Sequence, residues 1–127
     1  MTLISKDELL KPQPLKTSTV DLGDGKQAKL KELPFAEIAK MTAWLFPEGE
    51  EDKQRRESYR LRQAALSLVD EAGDRVFAFP DTKEGNKQFF EFAETVGSGG
   101  AGHWGKIISA TVELYDESEE ADDLEKK

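Results

Sequence analysis

Cysteine is absent from this chain, and histidine occurs once. The first absence excludes a disulfide framework, a thiolate nucleophile and a zinc–thiolate centre, and it is consistent with a reducing cytosol. The second leaves His103 as the only imidazole, beside a glycine and a tryptophan, with no oriented partner to make it a general base. No apolar run approaches the roughly 18 residues of a membrane span. Residues 1–8 place charges where a signal peptide carries its apolar run, so the chain is expected to stay where it is made, off the membrane. Net positive charge is also missing. A formal charge of −8 disfavours nucleic-acid phosphate as a partner and leaves basic proteins or simple solubility as the beneficiaries.

What is present is a soluble chain of 127 residues, 37% hydrophobic and 35% charged, enough for one modest core. Ser5 to Glu8 reads as a capping box opening a one-turn helix that Pro12 and Pro14 stop. Gly23-Asp-Gly25 between alternating segments predicts a β-hairpin over about 18–31, with Val20, Leu22, Ala28 and Leu30 on its apolar face. That face needs a cover, and the helix that follows is the expected one.

Pro34 suits the first turn of a helix over about 34–46, with Phe35, Ile38, Met41, Thr42 and Leu45 in its stripe and Trp44 and Phe46 widening it. A second helix is expected over about 51–69, charged in its first half (Asp52, Lys53, Arg55, Arg56, Glu57, Arg60, Arg62) and burying Leu61, Ala65, Leu66, Leu68 and Val69 in its second. A turn around Gly73 leads to an extended piece, Val76 to Phe79, ending at Pro80. A third helix over about 82–96 carries Phe89, Phe90, Phe92, Ala93 and Val96.

Residues 104–115 fit two templates. Trp104, Ile107, Ile108, Thr111 and Tyr115 follow a helical stripe, whereas Ile108, Ala110, Val112 and Leu114 alternate as a strand does; helix is the expectation. From Asp116 onward seven acids face two lysines and carry −5 of the formal −8, which predicts a disordered acidic tail over 116–127. The fold class expected is mainly α: a small helical domain over 1–115, with an N-terminal β-hairpin, ahead of that tail.

Three motifs invite a chemical reading. Gly100 to Lys106 matches a phosphate-binding loop as far as its lysine, but Ile107 stands where Ser or Thr would hold magnesium, and no buried strand precedes it. A flexible linker accounts for it better. Asp70, Glu71 and Asp74 lack the alternating oxygen ligands of a calcium loop and read as a solvated helix end. No catalytic, cofactor or metal site is therefore expected. The basic set Arg55, Arg56 and Arg60, with Arg62, reads as a solvated helix face, or as a contact for an acidic surface. The sets Trp44/Phe46 and Phe89/Phe90/Phe92 read mostly as core; with Trp104 they exceed one stripe per helix, so the surplus is a candidate patch for a partner or for self-association.

In order, these parts resemble the tail assembly chaperones of long-tailed bacteriophages. The residues that carry the resemblance are the hairpin at Val20 to Leu30, the helix opening Leu33-Pro-Phe-Ala-Glu37, and Ser67-Leu-Val-Asp-Glu-Ala-Gly73 closing a longer helix. The resemblance implies a non-catalytic protein of the host cytoplasm that is absent from the mature virion. Such a protein binds the tape measure protein, keeps it soluble, helps recruit tail tube subunits and self-associates. Many members also occur in a longer, frameshifted form, and the Lys126–Lys127 pair is where such a slip is expected. The competing reading is an acidic nucleic-acid mimic that inhibits a host DNA-binding protein; it fits less well because most of the net charge sits in the tail.

Overall fold

The structure, a computed structural model, describes residues 2–12, 14–97 and 102–125, with side chains described as far as Asp116. Among the described residues, six helices and one three-stranded antiparallel sheet make a mixed architecture that is 51% helical, so the expectation of a mainly α fold holds only loosely. The order is α1 (Lys6–Leu10), β1 (Thr17–Gly23), β2 (Lys26–Lys31), α2 (Phe35–Trp44), α3 (Lys53–Glu57), α4 (Tyr59–Ser67), β3 (Leu68–Val69), α5 (Lys83–Thr95) and α6 (His103–Glu125).

The hairpin forms where the glycines predict it. Gly23, Asp24 and Gly25 all take positive φ (89°, 54° and 74°), a backbone path that branched residues resist. Asp21 helps by accepting the Gly23 N–H at 2.9 Å. Ala28 and Leu30 are buried with Val20 and Leu22 beside them, but the cover is not the helix that follows. It is α6, through Ile107 and Leu114, together with Ala64 of α4. α2 packs elsewhere: Met41 and Ile38 join Leu33, Leu66, Tyr59 and Phe79 in a second cluster. Phe35, expected in the α2 stripe, is 88% exposed at the first helical position.

The expected 51–69 helix divides in three. Asp52 caps α3 by accepting the Arg55 N–H at 2.9 Å, Ser58 breaks the regular path, and α4 ends at Ser67. Leu68 and Val69 then leave the helix to pair with Leu30 and Lys29 as β3. Their reason is local and tertiary together. Asp70 accepts the N–H groups of Ala72 and Asp74 at 2.9 and 3.0 Å, and Gly73 supplies φ 87°, so the chain reverses and bridges Val69 to Arg75. The unpaired edge of β2 then receives the two β-suited residues.

α6 follows the helical stripe expected for it, with Ile107, Thr111 and Leu114 buried. It does not stop at residue 115. The backbone stays helical to Glu125, through the segment expected to be disordered. Lys126 and Lys127 lie outside the described residues.

Tyr115 fixes α6 to the rest of the molecule. Its hydroxyl accepts the Leu33 N–H at 2.8 Å and lies 2.9 Å from the hydroxyl of Ser67, a residue with no exposure. Tyr115→Phe should therefore cost about 1–3 kcal/mol, because two buried polar groups lose a partner. Burial is the main cause that raises the Tyr115 pKa above its ordinary value of 10.0. The folded state thus holds its phenol proton to higher pH than the unfolded chain does. Stability from this group is complete below about pH 10 and is lost as pH rises past it. Chemical denaturation across that range should show the wild-type decline flattened in Tyr115→Phe.

Candidate functional site

Five phenylalanines and both tryptophans form one continuous network. Phe89, with no exposure, meets Trp44 edge-on at 5.7 Å, Phe90 at 5.4 Å and Phe79 at 5.3 Å; Phe90 in turn stacks on Trp44 at 6.1 Å. Phe79 passes the chain of contacts to Phe92 and Phe77, and both of these touch Trp104, at 5.1 and 5.7 Å. Residues two apart on an extended segment share a face, which is why Phe77 and Phe79 stack on each other at 5.8 Å. Trp44, Phe89 and Phe90 are expected mostly in the core, with the surplus, and Trp104, as candidates for a partner patch. The structure places Trp44 and Phe89 in the core and half-buries Phe90 and Trp104. The Val76 to Phe79 segment bridges α5 to α6 and absorbs the excess.

The basic set divides. Arg56 reaches solvent and pairs with Glu51 at 3.1 Å, and Arg60 is exposed. Arg55 turns inward: its Nη1 donates to the Trp44 carbonyl at 2.8 Å and its guanidinium lies 5.3 Å from the Trp44 ring centre. Arg62, expected on a solvated face, is only 4% exposed. It sits 4.5 Å from the Trp44 ring centre and 5.3 Å from that of Phe89, and its Nη2 donates to the Phe79 carbonyl at 2.6 Å. Burial lowers its pKa, the charge of Asp81 opposes that shift, and Arg55 adds to it. Cation–π contact and a single carbonyl hold this charge in the core. Helical spacing already put Arg62, unlike Arg60, on the face of Ala65, Leu66 and Val69, a signal that the reading of a charged first half passed over.

At the surface end of this network a cleft of about 530 Å³ opens between the end of α2 and the start of α5. Phe46, 44% exposed, and Pro47 form its apolar side; Arg55 and Lys83 bring positive charge and Asp81 brings negative. Asn86 at its edge accepts the Trp44 indole N–H at 2.9 Å and donates to Asp81 at 3.1 Å, so the wall is held rigid by the core behind it. Phe46 and Arg55 are thus the two candidates brought together at an accessible site. The cleft suits an apolar side chain with a charged neighbour, as an amphipathic segment presents.

The other motifs find structural uses. Lys106 donates to the Leu22 carbonyl at 3.3 Å and so ties α6 to the hairpin tip; Gly100 and Ala101 of the loop-like motif lie outside the described residues. Asp70 shapes its turn, and His103 is exposed at the start of α6. Among the described residues no group of three His, Cys, Asp or Glu side chains is placed to hold a metal ion, and no helix is long and apolar enough to cross a membrane. Comparison with protein-family models, with curated proteins and with solved structures yields no match to this chain.

Proposed function

We propose that this chain is a non-catalytic tail assembly chaperone of a long-tailed phage, acting in the host cytoplasm and absent from the finished virion. It binds the tape measure protein, keeps that long helical polypeptide soluble, and helps recruit tail tube subunits. The observation that carries this reading is the Phe46–Arg55 cleft, a mainly polar surface cleft lined by one exposed aromatic and by a cation held on the Trp44 carbonyl, on a chain whose formal charge is −8. An amphipathic helix can lay an aliphatic side chain against Phe46 and an acid near Arg55, while the net negative charge keeps the complex in solution. The element order supports the reading as well, since α4 closes at Ser67, the chain enters the sheet as β3 and then reverses through the Asp70–Gly73 turn, after the hairpin and α2. A minor frameshifted product carrying a further domain belongs to the same proposal.

Co-expression tests it. The tape measure protein encoded beside this gene should move from the insoluble to the soluble fraction and co-purify with the chain. Phe46→Ser should weaken capture about tenfold, as expected for truncating an aromatic anchor at a partner site. A tape measure protein that is equally insoluble with and without this chain would sink the proposal.

A further inference from the structure

Arg62 is only partly explained by the core that holds it. Its Nη2 donates to the Phe79 carbonyl at 2.6 Å, but Nε and Nη1 are buried and find no hydrogen-bond partner among the described residues. A guanidinium is a donor on every nitrogen and keeps its proton, so burial leaves it charged and short of acceptors. Asp81 does not close the gap. Its charge acts on Arg62, yet its carboxylate accepts from Asn86 at 3.1 Å.

The same residue borders a cavity. About 480 Å³ of space lies between α2, α4 and the 75–81 segment, with Met41, Leu66, Ala78 and Pro80 among its apolar walls. Trp44 and Phe79 line it too, and these are the groups that the guanidinium rests on, so the charged end of Arg62 borders this space. Lys40 and Arg75, both exposed, add positive charge. Glu37 and Asp81 add negative charge, but Glu37 is already engaged by Arg75 at 3.6 Å. Three cations (Lys40, Arg62, Arg75) against these two acids leave the cavity formally positive on a chain of net charge −8. The size and the mainly apolar lining with a few placed polar groups are those of a small-molecule site. With the Phe46 cleft it shares only Asp81.

We propose that this cavity binds a small organic acid, with its carboxylate on Arg62 and its apolar body against Met41, Leu66 and Phe79. A carboxylate is the planar acceptor that a guanidinium matches best, and charge-assisted bonds of this kind are the stronger ones. Inorganic phosphate has no apolar body to set against the walls, and its higher charge meets Asp81 and Glu37. The unbonded nitrogens have almost no solvent exposure, so the acid meets them as the guanidinium tilts off the Trp44 ring into the cavity. A ligand must therefore enter whole, which favours a small acid over a side chain grazing the surface.

Titration of the full chain with phenylacetate, read by nuclear magnetic resonance on the tryptophan indole and arginine Nε–H signals, tests this. Trp44 lines the cavity and Trp104 does not, so the Trp44 and Arg62 signals should shift together while Trp104 stays still. Phenylacetamide, with the same ring and no charge, should bind about tenfold more weakly, the worth of one charge-assisted hydrogen bond. Ala78→Trp should abolish the shifts by filling the cavity from an exposed wall position, with Arg62 itself unchanged. Arg62→Met should lose phenylacetate as well; should it fail to fold by circular dichroism, Ala78→Trp and the amide decide. A Trp44 signal unmoved by millimolar phenylacetate overturns the proposal, as does equal binding of the amide or unaltered binding to Ala78→Trp. Inorganic phosphate that moves the same signals with equal affinity overturns it too. Tape measure capture reads the Phe46 cleft and the Trp44 signal reads this cavity, so either can fail while the other stands.

Discussion

Replacing Phe89 with alanine is expected to lower the unfolding free energy by about 3–5 kcal/mol, the range for a buried aromatic truncated in a packed core. Phe89 has no exposure and joins three other rings, so no single neighbour can collapse into the space it leaves. Edge-to-face contacts with Trp44 and Phe79 are lost along with the buried area. Arg62 is affected too, because the Phe89 ring is one of two that flank its guanidinium. Water admitted by the cavity would stabilise that charge better than the rings do, which favours partial opening. Against a total stability of about 5–15 kcal/mol for a domain of this size, the variant should melt at least roughly 10 °C lower. Differential scanning calorimetry, with near-ultraviolet circular dichroism to follow the tryptophans, checks it. A shift of only a degree or two would mean the ring network is loose.

Gly85→Ala is the second large effect, and its sign is diagnostic. Gly85 lies in the first turn of α5, where Thr82 caps the helix by accepting the Gly85 N–H at 3.0 Å. By helix propensity alone, alanine there would stabilise by about 1 kcal/mol. The structure predicts the opposite. A Cβ on Gly85 would overlap the Pro80 carbonyl oxygen and would lie 2.8 Å from Pro80 Cγ. A backbone oxygen cannot swing aside as the end of a side chain can, so either the Pro80 segment or the helix start must move. Either movement displaces Phe79 or Phe89, and overpacking of this kind costs about 1–3 kcal/mol or more. Urea unfolding of the variant settles the sign: a midpoint above wild type would show that α5 does not sit on Pro80.

The local elements were legible because their causes are local. Gly23-Asp-Gly25 demanded positive φ and produced the hairpin; the spacing of Trp104, Ile107, Thr111 and Tyr115 produced a helix; Ser5 and Glu8 produced a capped first turn. Of the candidate site, Phe46 and Arg55 could be named from the sequence, since an aromatic beyond the needs of its stripe and a cation on a charged turn are visible as such. Three things were decided only by tertiary structure. Leu68 and Val69 continue the helical period of α4 but face the open edge of β2, and pairing that edge outweighs one more half-turn of helix. Helical spacing puts Arg62 on the face of Ala65, Leu66 and Val69, but only the fold shows that Trp44 and Phe89 reach it from α2 and α5. Leu9 and Leu10 read in sequence as any other short helix, and only the folded body shows that they stay exposed among the described residues. Periodicity fixes which residues share a face, because that follows from backbone geometry. What lies against the face depends on chain segments dozens of residues away, and no local pattern carries that information.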